Sequence, residues 1–377
     1  MKLRQGKVGK SVLLAFALFC VVLFLIEVGS IRNKKSKFYD EKIAAAKNCE
    51  KAFKVIKMER EKIGIPIDEI NDPNFTGLIG YQYSLVTSGR SDLQSKLTST
   101  NPNFAALFVE LLTSVGVRKG DLIAIGWNGS YPALNIALLS AVKVLNLNPI
   151  IITSLTSSMW GANDPRFTWL DIERVLAKKE ILTYRTTAAS LGGEDDNGQG
   201  LSPEGRVLLD SAIKRNGILK IIADSLVEQV EQRLNIYQLS EADRRSSFKL
   251  AAFVNIGYSV SNLGDIQSTP STGIISRRNN KVIESSVIGK MVAKRIPVIN
   301  ILDVNRLAER YSLPIAPLPL PKVGKGRLFM EPRYSVQLAI VMVVLIIIAL
   351  FFVIRFDLEY YLMSKKQREE IKKQERK

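Results

Sequence analysis

LIAIGWNGSYPALN, Leu122 to Asn135, runs from a short apolar segment into a glycine-bracketed turn and out into a helical pattern. Gly126 and Gly129 flank Trp127 and Asn128, Ser130 follows at once, and Pro132 stands where the first turn of a helix tolerates proline. A strand that ends in such a turn aims backbone N–H groups outward from a helix start, and the helix dipole favours an anion in front of them. Ser130 is expected to be exposed there, and three readings stay open for it: a nucleophile, an anion-holding hydroxyl, or a plain helix cap. The nucleophile elbow of α/β hydrolases sets Ser between two glycines as Gly-x-Ser-x-Gly, whereas Pro132 occupies the last position here.

A helix over 133–145 and the strand PIIIT at 149–153 complete a βαβ unit with the strand at 121–126. A helix over 104–115, ended by Gly116, precedes it. Further strands are expected at 78–85, 219–223, 251–256 and 297–302, with helices at 201–215, 225–238, 284–294 and 304–311. Alternating strands and helices predict an α/β fold: an open, mostly parallel, Rossmann-like sheet with helices on both faces. Pro314 to Pro321, PIAPLPLP, reads as an extended strap.

Hydropathy removes both ends from that domain. Ser11 to Gly29 carries a single charge, Glu27, and Val336 to Ile354 carries none. Each matches the ~20 residues that a transmembrane helix needs, and Tyr334, Phe356, Tyr360 and Tyr361 supply interfacial aromatics to the second. No small-residue cleavage site closes the first run, which favours an uncleaved anchor over a signal peptide. The expected order is a basic tail (1–10), a transmembrane helix (11–29), a juxtamembrane helix and linker (30–76), the α/β domain (77–326), a linker (327–335), a second transmembrane helix (336–354) and a basic tail (355–377). Lys2, Arg4, Lys7 and Lys10 at one end, and the cluster from Lys365 to Lys377 at the other, orient both tails to the cytoplasm. The protein is therefore expected to be two-pass in the cell membrane, with its central domain extracytoplasmic. Arg32, Lys34, Lys35 and Lys37 after the first span, and Lys322, Lys325, Arg327 and Arg333 before the second, oppose that orientation, but long segments translocate largely regardless of charge.

The formal net charge is +17, yet no Lys/Arg block interleaves with aromatics, so nucleic acid is not the expected partner. A basic domain beside a membrane suits an anionic polymer or lipid headgroups, or is ordinary membrane-proximal charge. The chain has no histidine and two cysteines, Cys20 and Cys49, the first inside an apolar run. Ser-His-Asp and Cys-His catalysis and ordinary Cys/His zinc sites are thereby excluded.

In open α/β sheets ligands collect at the carboxyl ends of the strands, where strand order reverses. Three polar loops fall at such ends: 126–130, SLTSSMWGAND at 154–164, and GYSVSNLG at 257–264. They are expected to converge on one rim, with Gly126, Asn128, Gly129, Ser130, Ser157, Ser158, Asn163, Asn255 and Gly257 as the ligand-binding candidates. Catalytic candidates are Ser130, Asp164 and Asp196. The acidic loop GGEDDNGQG at 192–200 offers Glu194, Asp195 and Asp196 as hard ligands for Mg²⁺, but its spacing matches no defined cation loop, and a surface loop is the other reading.

Several ordered stretches together resemble the bacterial poly-gamma-glutamate system protein family: TSTNPNFAAL (98–107), GWNGSYPALNIALLSA (126–141), SSMWGANDPRFTWLDIERVL (157–176), LGGEDDNGQGLSPEGR (191–206) and LPIAPLPLPKVGKG (313–326). The resemblance spans about Gly77 to Gly326. It implies a membrane-anchored part of a machinery that makes and exports poly-γ-glutamate, a capsule polyanion, with the polymer and other subunits as partners. It implies no catalytic residues. The family's PVIH segment is PVIN here, so that Asn300 stands where a histidine is expected. Two functions are compatible: polymer handling or assembly, and an amide hydrolase or transferase acting on the polymer.

Overall fold

The computed structural model describes residues 8–238, 250–264, 271–275 and 284–356. Most of the two charged tails, with Tyr360 and Tyr361, lies outside the described residues. In chain order the elements begin with α1 (Lys10–Gly29), β1 (Arg32–Lys35), α2 (Tyr39–Lys62), β2 (Thr87–Gly89), α3 (Leu93–Ser99) and α4 (Phe104–Ser114). The βαβ unit follows as β3 (Leu122–Asn128), α5 (Pro132–Val144) and β4 (Asn148–Ser154). Next come β5 (Ser157–Ser158), β6 (Asn163–Asp164), β7 (Phe167–Thr168), α6 (Trp169–Lys178), β8 (Ala188–Ser190), α7 (Pro203–Arg215), β9 (Leu219–Lys220) and α8 (Leu226–Ile236). The remainder is β10 (Leu250–Ile256), α9 (Val260–Leu263), β11 (Gly273–Ile275), α10 (Val287–Ala293), β12 (Val298–Ile301), α11 (Val304–Arg310), β13 (Met330–Arg333) and α12 (Val336–Arg355).

Two compact units result. One comprises the described residues of the two chain ends, 8–35 and 330–356. In it α1 and α12, each 20 residues long, are long and apolar enough to cross a membrane, and β1 pairs antiparallel with β13 from Arg32–Arg333 to Lys35–Met330.

The other unit, residues 36–329, is a mixed α/β domain on a seven-stranded sheet of order β11-β12-β10-β3-β4-β8-β9. Every neighbour pair is parallel except β11 with β12. Strand β3 lies at the centre because its run Ile123–Asn128 is buried throughout, as a strand covered on both faces must be. Alternate residues divide between the faces. Ala124, Ile152, Ala188, Phe253 and Val298 join Val230 and Tyr237 near α8 and Ile288 and Met291 of α10 in one cluster. Trp127 points the other way and meets Trp169 of α6 edge to face, with ring centroids 5.2 Å apart. Helix α5 is buried over Pro132–Val142 and so packs on several sides, including against α2 and α4. Helix α2 presents Ala45, Cys49, Ala52, Phe53 and Ile56 at helical spacing to that contact and belongs to this unit.

The expected elements are largely present, with instructive differences. No strand forms over 78–85; Arg60 of α2 holds this region instead, donating to the carbonyls of Gly77 and Ile79 at 2.9 Å. The short strand there is β2, a few residues later. The expected strand over 219–223 is cut to Leu219–Lys220, and the helix over 284–294 to Val287–Ala293. Helix α3 and strands β1, β8, β11 and β13 have no counterpart in the sequence reading.

Candidate functional site

The strand order reverses beside β3: the chain proceeds from β3 through β4 and β8 to β9, then returns to the other side of β3 with β10. At the carboxyl ends of these strands lies a cleft of about 490 Å³. The three expected loops do converge there, through Asn128 and Ser130, Ser154 to Ser158, and Gly257 to Ser259. Two further segments complete it: 88–91, which leads into α3, and the acidic loop, through Gly192, Gly193, Glu194 and Asp196.

The crevice between β3 and β10 is bridged by Asn128, whose amide donates to the Tyr258 carbonyl at 2.6 Å. Gly257 makes that approach possible. Its φ is +78°, and a Cβ there would fall 2.5 Å from Asn128 Oδ1. Behind the crevice Asn255 donates to Asn300 Oδ1 at 2.8 Å and accepts from Asn262 at 2.9 Å. All three amides are fully buried, so Asn300 has a place in a chain of side-chain hydrogen bonds between β10 and β12.

The glycine turn differs from its expected form. The Gly129 N–H donates to Thr156 O at 3.1 Å and the Ser130 N–H to Asn128 Oδ1 at 3.0 Å, so neither faces outward toward an anion. Ser130 is also no cap, since the residue at the N-cap of α5 is Tyr131. The physical reason is the neighbouring loop: 154–164 packs across the turn and takes up its polar groups. Ser157 Oγ donates to Gly129 O at 3.0 Å, and the Ser158 N–H donates to Ser130 Oγ at 3.0 Å. Ser130 is consequently 5% exposed, although it still lines the cleft.

The acidic candidates separate. Asp164 lines a different, small pocket with Arg60. Burial works to raise its carboxyl, but hydrogen bonds from Arg166, among them one of 2.8 Å, prevail and hold it below the usual range. Asn163 sits beside it, clasping Tyr81 through N–H and carbonyl at 2.9 and 2.7 Å. Asp196 reaches the cleft wall with its carboxylate occupied: Ser154, Ser190 and Ser261 donate to it at 2.7–2.8 Å, and Arg233 forms a buried ion pair with it. Asp195 accepts from the backbone N–H groups of Asn197 and Gln199 at 2.8 and 2.9 Å. Among the described residues no three acidic or thiol side chains gather where a cation would be held. Of the nine ligand-binding candidates, Asn128, Ser130, Ser158 and Gly257 line the cleft; Gly126, Gly129, Ser157, Asn163 and Asn255 buttress it or lie elsewhere.

Lys96 on α3 is the residue that sequence reading missed. It is 1% exposed, and among the described residues no carboxylate pairs with it. Its Nζ lies 2.8 Å from Ser158 Oγ, against the Ser130 carbonyl, and 3.9 Å from the centroid of the Tyr131 ring. Burial pushes its pKa well below the ordinary lysine value, opposed only by the more distant charge of Asp92. Ser158 is held at the cleft wall by the pairing of β5 with β2, where it stands opposite Gly89. It is partly exposed there. The sole legible signal was the density of uncharged polar residues around Lys96, in SKLTSTN at 95–101.

Comparison with known proteins adds no relative: no family model matches the chain, and neither a curated protein nor a solved structure matches it significantly.

Proposed function

We propose that this protein is a membrane-anchored component of a poly-γ-glutamate synthesis and export system and that its cleft handles a segment of the polymer. In this reading the sheet is Rossmann-like, α1 and α12 are transmembrane anchors in the cell membrane, and the domain of residues 36–329 faces the extracytoplasmic side. The ordered motifs between 98 and 326 support the system. The cleft at the strand-order reversal carries the rest of the reading. Its volume of about 490 Å³ is that of an ordinary ligand site, and hydroxyls of Ser88, Ser91, Ser130 and Ser158 and the exposed Arg90 give it hydrogen-bond donors and a cation for carboxylates.

Binding is measured with the purified full-length chain in nanodiscs and poly-γ-glutamate of defined length. Affinity is expected to fall as salt rises, and Arg90→Ala to weaken it by about tenfold, the equivalent of one charge-assisted contact. Absence of binding, or binding indifferent to Arg90, overturns the proposal. A second reading, an amide hydrolase or transferase, is favoured by one observation, the Lys96–Ser158 contact.

A further inference from the structure

We infer that Ser158 and Lys96 form a serine–lysine pair that performs acyl transfer on an amide or ester carbonyl bound in the cleft. Three features of the geometry converge on this. Ser158 is the hydroxyl at the cleft wall that also touches a buried amine, at a 2.8 Å separation suited to proton transfer in either direction. The amine is enclosed: the Ser130 carbonyl and the Tyr131 ring occupy its other directions, so its lone pair, when neutral, has Ser158 as its hydroxyl partner. A desolvated lysine is the base available to a nucleophilic serine in a chain without histidine.

The nucleophile is thereby Ser158 and not Ser130. Ser130 spends its oxygen on the Ser158 N–H and positions the loop. In the reaction, Lys96 Nζ takes the proton of Ser158 Oγ as that oxygen bonds to the carbonyl carbon. The C–N or C–O bond then breaks, and the leaving group departs with the proton from the Lys96 ammonium. Water, or an amine acceptor, next adds to the acyl-serine ester and loses a proton to Lys96, which passes it to Ser158 Oγ as the acyl C–Oγ bond breaks and the free serine is restored. Neither a metal nor an oxidant enters the balance. Asp196, already paired with Arg233, takes no part.

The inference rests on the cleft being a ligand site, and not on the polymer's identity. The test accordingly uses no polymer. Full-length protein in nanodiscs is treated with a fluorophosphonate, which bonds through phosphorus to an activated serine as fluoride leaves, and the labelled residue is located by mass spectrometry. Ser158 is expected to be labelled, with Ser158→Ala unreactive. Lys96→Met removes the base, and Lys96→Arg keeps charge and donors but cannot accept a proton. Both are expected to slow labelling by about a hundredfold or more. Labelling of Ser158 at the wild-type rate in a folded Lys96 variant overturns the inference, as does labelling of Ser130 instead. Should neither variant fold, the wild type decides: Ser158 that reacts no faster in the native protein than in the urea-denatured chain also overturns it. Loss of polymer binding with Ser158 still reactive defeats only the proposed polymer, and the converse result defeats only the pair.

Discussion

Glu173, Asp196 and Lys96 are three buried ionisable side chains whose surroundings are solved differently. Asp196 is paired with Arg233, and removal of either partner would strand the other, a cost of about 3–5 kcal/mol. Lys96 has hydroxyl, carbonyl and ring for company and, among the described residues, no paired carboxylate, and its burial favours the neutral form. Glu173 lies between them: burial raises its pKa to about 7, opposed by hydrogen bonds from Thr186 and Trp169 and by Arg185. Because its folded pKa exceeds the unfolded value of 4.5, the folded state holds the proton more tightly. The stability this provides is present below pH 4.5 and is lost as pH rises through about 7, amounting to about 3 kcal/mol. Thermal midpoints of the purified full chain at pH 5 and pH 8 check this; Glu173→Gln is expected to flatten the difference, and an equal pH dependence in the variant refutes the assignment. None of these roles was legible in the sequence, because a Lys, Asp or Glu reads as surface until a fold encloses it.

Strands β3, β4, β10 and β12 announce themselves as runs of isoleucine, valine, leucine and phenylalanine bounded by turn residues. Strand β8 does not: Ala-Ala-Ser at 188–190 has no large apolar residue, and its place comes from parallel pairing with β4 and β9. Helix α3 escaped notice for a related reason. It has seven residues, and its buried positions include Ser95, Lys96, Thr98 and Ser99, which mimic a loop. Its start is fixed by Asp92, whose carboxylate accepts from the Ser95 N–H at 3.0 Å. Asp92→Ala is expected to cost about 1 kcal/mol and, because α3 is short, to act locally. Hydrogen exchange over 93–99 should accelerate while β3 and β4 stay protected; unchanged exchange in α3 would show that tertiary packing alone holds it.

The whole chain divides where hydropathy divides it, and the two apolar helices were plain in the sequence; the pairing of β1 with β13 was not, since neither RNKK nor MEPR has strand-like patterning. The proposed topology makes the larger unit extracytoplasmic. Ile70, 88% exposed, provides a reporter position: a cysteine there is expected to react with a membrane-impermeant maleimide in intact spheroplasts, with Cys49 buried and therefore silent. Reaction only after lysis would reverse the orientation. The contact of Asn128 with Tyr258 joins segments that leave the ribosome far apart in time. Lys96 and Ser158 lie 62 residues apart, whereas this bridge spans 130. During synthesis, which proceeds from the N-terminus, the reactive pair has emerged well before the segment that walls its cleft. The nascent chain therefore holds its nucleophile without a substrate groove, and the groove closes around it only when β10 docks beside β3.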